Sequence, residues 1–103
     1  MSLQFFSTKD PDEILTLGMN FVNLLSVGET ITSAVWEMEQ ADGTAVDPAM
    51  LLGNADFSGA PIVLQVVKGG VHQTTYLHRA KVTTSTGRVL VIGGWQQVIK
   101  GAC

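Results

Sequence analysis

The stretch from Gly69 to Ile92 restricts the fold more than any other part of the chain. Within it, Tyr76, His78, Ala80, Val82 and Thr84 fall on one side of a period-two pattern, and Leu77, Arg79, Lys81 and Thr83 fall on the other. A strand sends successive side chains to opposite faces, so this alternation predicts a strand with one covered face on which His78 is the polar member. The polar run Thr84-Ser85-Thr86-Gly87-Arg88 follows. Gly87 can supply the positive φ of a short hairpin loop before β-branched Val89, Val91 and Ile92 begin another strand.

The remaining chain reads as further short strands separated by turn residues. Leu3 to Ser7 is a short strand or extended arm, in which Phe5 and Phe6 point to opposite sides. Asp10-Pro11-Asp12-Glu13 has the residues of a helix start, but Leu15, Leu17, Met19 and Phe21 alternate with Thr16, Gly18 and Asn20. That pattern predicts a strand from about Ile14 to Phe21, entered by a Pro-Asp turn. Val22 to Leu25 is read as one helical turn plugging an end of the fold. Thr30 to Met38 is β-branched and contains Trp36, with Ile31, Ser33 and Val35 on one face and Ala34, Trp36 and Met38 on the other. Ala45 to Leu52 is an edge strand broken by Pro48, Asn54 to Gly59 a short strand at best, and Ile62 to Val67 a strand bounded by Pro61 and Gly69-Gly70. Gly93-Gly94 is read as a bulge or bend before Trp95 to Ile99.

Turn signals at this spacing, with no long helical segment, predict an all-β, immunoglobulin-like antiparallel β-sandwich of about seven strands. Tyr76 stands where such folds use a tyrosine hydroxyl to close a corner against the backbone just upstream. The predicted organisation is an N-terminal arm or edge strand over residues 1–8, one sandwich domain over 9–100, and a frayed C-terminus over 101–103.

Composition narrows function. The 103 residues are 46% hydrophobic and 15% charged, against a usual ~25% charged, which implies that other protein covers part of the surface. Cys103 is the single cysteine, so no internal disulfide forms. No signal peptide is expected at the N-terminus, and no apolar run reaches the ~20 residues of a membrane span. Nine acids against Lys9 alone leave residues 1–56 at −8, and five bases without an acid leave residues 57–103 at +5. Two readings are open: opposite charges pair across neighbouring strands, or an acidic face of one copy meets the basic face of the next.

Chemistry-bearing motifs are not evident. His72 and His78 have no cysteine or acid near them in sequence, which is no metal-ligand pattern. No nucleophile elbow, phosphate loop, dinucleotide fingerprint or marked carboxylate pair occurs, so no catalytic residue, cofactor or metal is expected. The net charge of −3 and the lack of a basic run interleaved with aromatics argue against direct nucleic-acid binding.

Lys9-Asp10-Pro11-Asp12-Glu13, then Gly28-Glu29-Thr30-Ile31 with Trp36 after it, then Tyr76 and Val82-Thr83-Thr84-Ser85-Thr86-Gly87-Arg88, occur in an order that resembles a family of tailed-bacteriophage fiber-tail adaptor or minor virion structural proteins. The resemblance spans about residues 9–92. It implies an immunoglobulin-like sandwich in the virion, made in the bacterial host cytoplasm, without catalytic residues. The chain departs from the family at Leu17, Met19 and Asn20, and after Arg88. The expected role is a non-enzymatic adaptor or connector at the head-tail or tail-fiber junction, present in several copies or as a homo-oligomer, whose partners are other phage structural proteins and not nucleic acid or membrane. Phe5, Phe6 and Trp95 are the candidate interface residues. A capsid decoration protein and a carbohydrate-binding sandwich module are the competing functions.

Overall fold

The hairpin expected after Gly70 forms. The computed structural model describes residues 2–101, with backbone only for 2–4; Met1, Ala102 and the Cys103 thiol lie outside the described residues. Its strands are β1 (Ser2–Phe5), β2 (Ile14–Asn20), β3 (Ile31–Gln40), β4 (Leu51–Asp56), β5 (Ile62–Lys68), β6 (Thr74–Thr84) and β7 (Val89–Val98). On β6, Tyr76, His78, Ala80, Val82 and Thr84 are all buried while the residues between them are half-exposed, the predicted alternation.

The strands make a two-layer β-sandwich, with sheet orders β1-β7-β6-β3 and β2-β5-β4. Pairing is antiparallel except for β1, which runs parallel to β7 in the register Ser2↔Ile92 to Phe5↔Trp95. The N-terminal segment is therefore a sheet edge and not a loose arm. Beyond it Lys9 bridges Val98, one residue out of step with β1, so a single extra residue is absorbed around Ser7 and Thr8.

Leu17, Met19 and Phe21 from β2 and the loop after it meet Val63 and Val67 of β5, and from the other sheet Trp36, Ala80, Val82 and Ile92. Leu24 and Leu25 pack on this core from the turn after β2, where both backbone N–H groups donate to the Phe21 carbonyl, which is the expected plug. The sandwich has the Tyr76 corner as well: the Tyr76 hydroxyl accepts from the Val71 N–H at 2.9 Å.

Three local readings need correction. Ile31 is buried, although strict alternation put it with Ser33 and Val35, both exposed. A bulge between Ile31 and Ser33 shifts the phase, so Ile31 faces inward opposite Thr84. Gly93-Gly94 makes no bulge: β7 continues in register through Arg79↔Gly93 and His78↔Gly94. Neighbours on both edges hold those glycines extended, and Gly94 puts no side chain beside His78 on the core face. The segment around Pro48 is a short 3-10 turn, Pro48–Met50, capped by the Asp47 carboxylate on the Ala49 N–H at 2.9 Å. The edge strand comes after it, as β4.

Gly70 sits where a side chain meets both backbone strain and a close neighbour. Its φ is +110°, and a Cβ there would lie 2.8 Å from Cγ2 of buried Val98. Gly70→Ala is expected to cost about 2 kcal/mol or more in chemical denaturation, from combined backbone strain and overlap. Unchanged stability would mean that this loop relaxes at no cost.

Candidate functional site

Two of the motifs carrying the family resemblance are far apart in the chain and meet at one end of the sandwich. Gly28 takes φ +78°, and the Ser26–Glu29 turn closes twice: the Glu29 N–H donates to the Ser26 carbonyl, and the Ser26 N–H to Glu29 Oε1, each at 2.9 Å. This aims the Glu29 carboxylate into the β6–β7 hairpin. There it accepts from the hydroxyls of Thr84, at 2.6 Å, and Thr86, and from both Nε, at 3.0 Å, and Nη2 of Arg88. Arg88 Nη2 also donates to the Leu24 carbonyl at 3.0 Å. The Arg88 guanidinium, then the Ser26 N–H and the two threonine hydroxyls, hold the Glu29 carboxyl far below the usual carboxylate range, and Glu29 in turn raises the Arg88 guanidinium. One buried carboxylate thus staples the β2–β3 connection to the hairpin.

The opposite end is tied by the third motif. Lys9 is 1% exposed, and its Nζ donates to the carbonyls of Gly69, at 2.8 Å, and Asp10, at 2.9 Å. Burial pulls the ammonium below its ordinary value, opposed by the carboxylates of Glu13, Asp10 and Asp12. Only half of a capping box forms, around a turn with no helix following: the Asp10 N–H donates to Glu13 Oε1 at 2.8 Å, while the Glu13 N–H donates to the Asp10 backbone carbonyl at 3.0 Å and the Asp10 carboxylate accepts from the Asp12 N–H at 2.7 Å. The N–H groups of Asp12 and Gly101 hold the Asp10 carboxyl low.

Between the two ends a neutral chain of hydrogen bonds crosses the core. The Trp36 indole N–H donates to His78 Nδ1 at 3.0 Å, and His78 Nε2 lies 3.2 Å from Gln96 Oε1. Gln96 Nε2 donates to the Ser7 carbonyl at 3.1 Å. Nδ1 must accept from the indole, so Nε2 carries the proton and gives it to Gln96. Burial lowers the His78 pKa to about 4. Sandwiches with the core disulfide place its second cysteine two residues after the corner tyrosine, which is the position of His78 here.

These motif residues hold the fold, and the candidate interface residues lie elsewhere. Phe5 is 84% exposed and stands beside Trp95 in the β1–β7 register, with Leu77 next to Trp95 on β6. This row Phe5–Trp95–Leu77 lies on the outer face of the four-stranded sheet, and Val91 and Val89 continue the apolar surface along β7. Phe6 turns inward instead, edge-on to His78 with ring centres 5.6 Å apart and 6.4 Å from Trp36. The structure thus brings Phe5 and Trp95 together and puts Phe6 on the core. Leu77, Val89 and Val91 were not singled out in the sequence, although the period-two pattern had already placed Leu77 on the outward side.

The divided charge is in part paired inside the molecule. Glu29 meets Arg88, and on the outer face Glu37 lies 3.7 Å from Arg79 and 4.0 Å from Lys81. The outer-face pairs are half-exposed and contribute little stability, but they keep the apolar row on a polar, oriented face. His72, in the turn before β6, accepts from the Lys100 N–H at 2.9 Å. Among the described residues, no three His, Cys, Asp or Glu side chains lie close enough to hold a metal ion, and no helix is long and apolar enough to cross a membrane.

No curated protein matches the chain significantly. The profile of the family described as "Podophage GP4 fiber-tail adaptor protein gp77" matches residues 9–92, which take in all three motifs and both hydrogen-bonded ends. With that span of the sandwich accounted for, the chain belongs to the podophage fiber-tail adaptor family, a family of structural proteins of the phage virion.

Proposed function

We propose that this protein is a non-enzymatic adaptor at the tail-fiber or head-tail junction, acting in several copies and docking on other virion proteins through the outer face of the β1-β7-β6-β3 sheet. The observation that supports this reading is the exposed row Phe5–Trp95–Leu77, flanked by Val91 and Val89. Aromatic anchors on a rigid sheet lose little conformational entropy when covered and are enriched among binding hot spots. The Glu37, Arg79 and Lys81 charges beside them supply orientation more than affinity. The motif residues do different work, holding the two ends of the sandwich so that this face is presented as a unit. A sugar-stacking role draws less support, because Trp36 is 4% exposed and Trp95 is half-buried in its row.

The double variant Phe5→Ser, Trp95→Ser tests the proposal. It is expected to weaken binding to the virion partner about 30-fold or more, the loss of a ~2 kcal/mol hot spot, with melting within a few degrees of the parent. Particles complemented with it should lack fibers or fail to complete the tail. Normal particles at normal yield would place docking on another surface.

A further inference from the structure

The opposite sheet carries a second apolar face that the adaptor reading does not use. On β5 the core-facing residues are Val63, Gln65 and Val67, and the outward ones are Ile62, Leu64 and Val66, so the strand is more apolar toward solvent than toward the core. Gln65 is accommodated inside by donating to the carbonyls of Leu52, Gly53 and Val66. A strand apolar on both faces is the pattern of one covered on both sides. Its neighbours extend the patch: Ile14 of β2 is 62% exposed beside Lys68, and Leu52 of β4 is 38% exposed beside Val66. Gly18 stands opposite Leu64, where a Cβ would sit 3.0 Å from Leu64 Cδ2, so the leucine lies flat across β2.

Charge marks the ends of this patch and not its centre. Lys68 lies at one end of β5; Asp56, beside Leu64 on β4, lies toward the other. Among the described residues, neither has an ion-pair partner within its own chain. We propose that the β2-β5-β4 face binds the same face of a second copy, the two β5 strands running antiparallel about a two-fold axis. That arrangement sets Leu64 and Val66 of one copy on those of the other. It also brings Lys68 of each copy over the Ile62 end of its mate, beside Asp56. An isologous contact of this kind closes on itself and leaves both Phe5–Trp95 faces outward, one at each side of the pair. Two strands of seven residues and one of six offer a footprint of roughly 14 by 23 Å, well under the ~800 Å² per partner of a standard stable interface. The pair is therefore weak in solution.

Sedimentation across a concentration series tests this independently of the virion partner. The mass of the parent should climb from 11.0 kDa toward twice that value as concentration rises to about 1 mM. Leu64→Glu should weaken self-association at least tenfold, whereas Phe5→Ser on the other face should leave it unchanged. Lys68→Glu and Asp56→Lys should each weaken it, and the two together should restore it. A monomer at every concentration, association indifferent to Leu64→Glu, or a double charge swap that fails to restore pairing in a protein that melts normally, overturns the proposal. Failure here leaves the Phe5–Trp95 reading intact, because that reading is tested by partner binding and particle yield.

Discussion

Acidification from neutral pH to about 4 is expected to lower the melting temperature by roughly 15 °C, with most of that loss complete before the carboxylates protonate. The cause is His78. Its pKa falls from 6.5 to about 4 because the ring is buried, and protonation would put a hydrogen on Nδ1, where the Trp36 indole N–H already donates. Between those values the unfolded chain binds a proton that the folded chain refuses, so stability rises with pH across the interval. His78 therefore contributes its full stability above about 6.5 and loses it as pH falls toward 4, a change of about 3 kcal/mol. Glu29 acts in a lower window. Its folded pKa is depressed from 4.5, so its contribution is present above 4.5 and is lost only as pH falls further. His78→Gln separates the two, since an amide can accept from Trp36 and donate to Gln96 without titrating. That variant should melt at nearly constant temperature between pH 6.5 and 4.5 and still unfold in stronger acid. A His78→Gln protein with the parent's slope in that interval would place the titrating group elsewhere.

The second large effect is expected at Glu29. Glu29→Ala should lower the melting temperature on the order of 10–15 °C, because it strands Arg88, Thr84, Thr86 and the Ser26 N–H together, and such clusters give the largest losses seen for single substitutions. Glu29→Gln should lose most of the same stability, since it keeps the shape but leaves Arg88 without its counter-charge. Amide exchange should show where the damage lies, with the Thr84 to Arg88 turn and residues 22–30 opening first while β5 stays protected. A small shift in melting temperature, or exchange that rises uniformly, would mean that the hairpin holds without the staple.

How much of this was legible in the sequence depends on the range of the interaction. The β6 alternation is local, and it placed Tyr76, His78, Ala80, Val82 and Thr84 on the core side and Leu77, Arg79, Lys81 and Thr83 outside, as the structure has them. The turn after β2 was readable for the same reason. Ile31 was not, since one bulge residue reverses a period-two phase and nothing local to Thr32 announces it. Gly93-Gly94 read as a break because glycine is a poor strand former in isolation; parallel pairing with β1 was the missing fact. Long-range chemistry was hidden altogether. Glu29 and Arg88 lie 59 residues apart, and no spacing rule links them. The motifs were visible as a family signature, but only the fold shows that they hold the two ends of the sandwich. Of the interface candidates, Phe5 and Trp95 share a face because β1 runs parallel to β7, and Phe6 faces the core by the same alternation.

The most direct test of the adaptor's docking face is hydroxyl-radical footprinting of its side chains, comparing the purified protein with the protein in intact phage particles. Docking through the β1-β7-β6-β3 face predicts that Phe5 and Trp95 are oxidised readily in the free protein and protected severalfold in the particle, while Phe6 is protected in both. Phe5 and Trp95 that react equally in both states would contradict it.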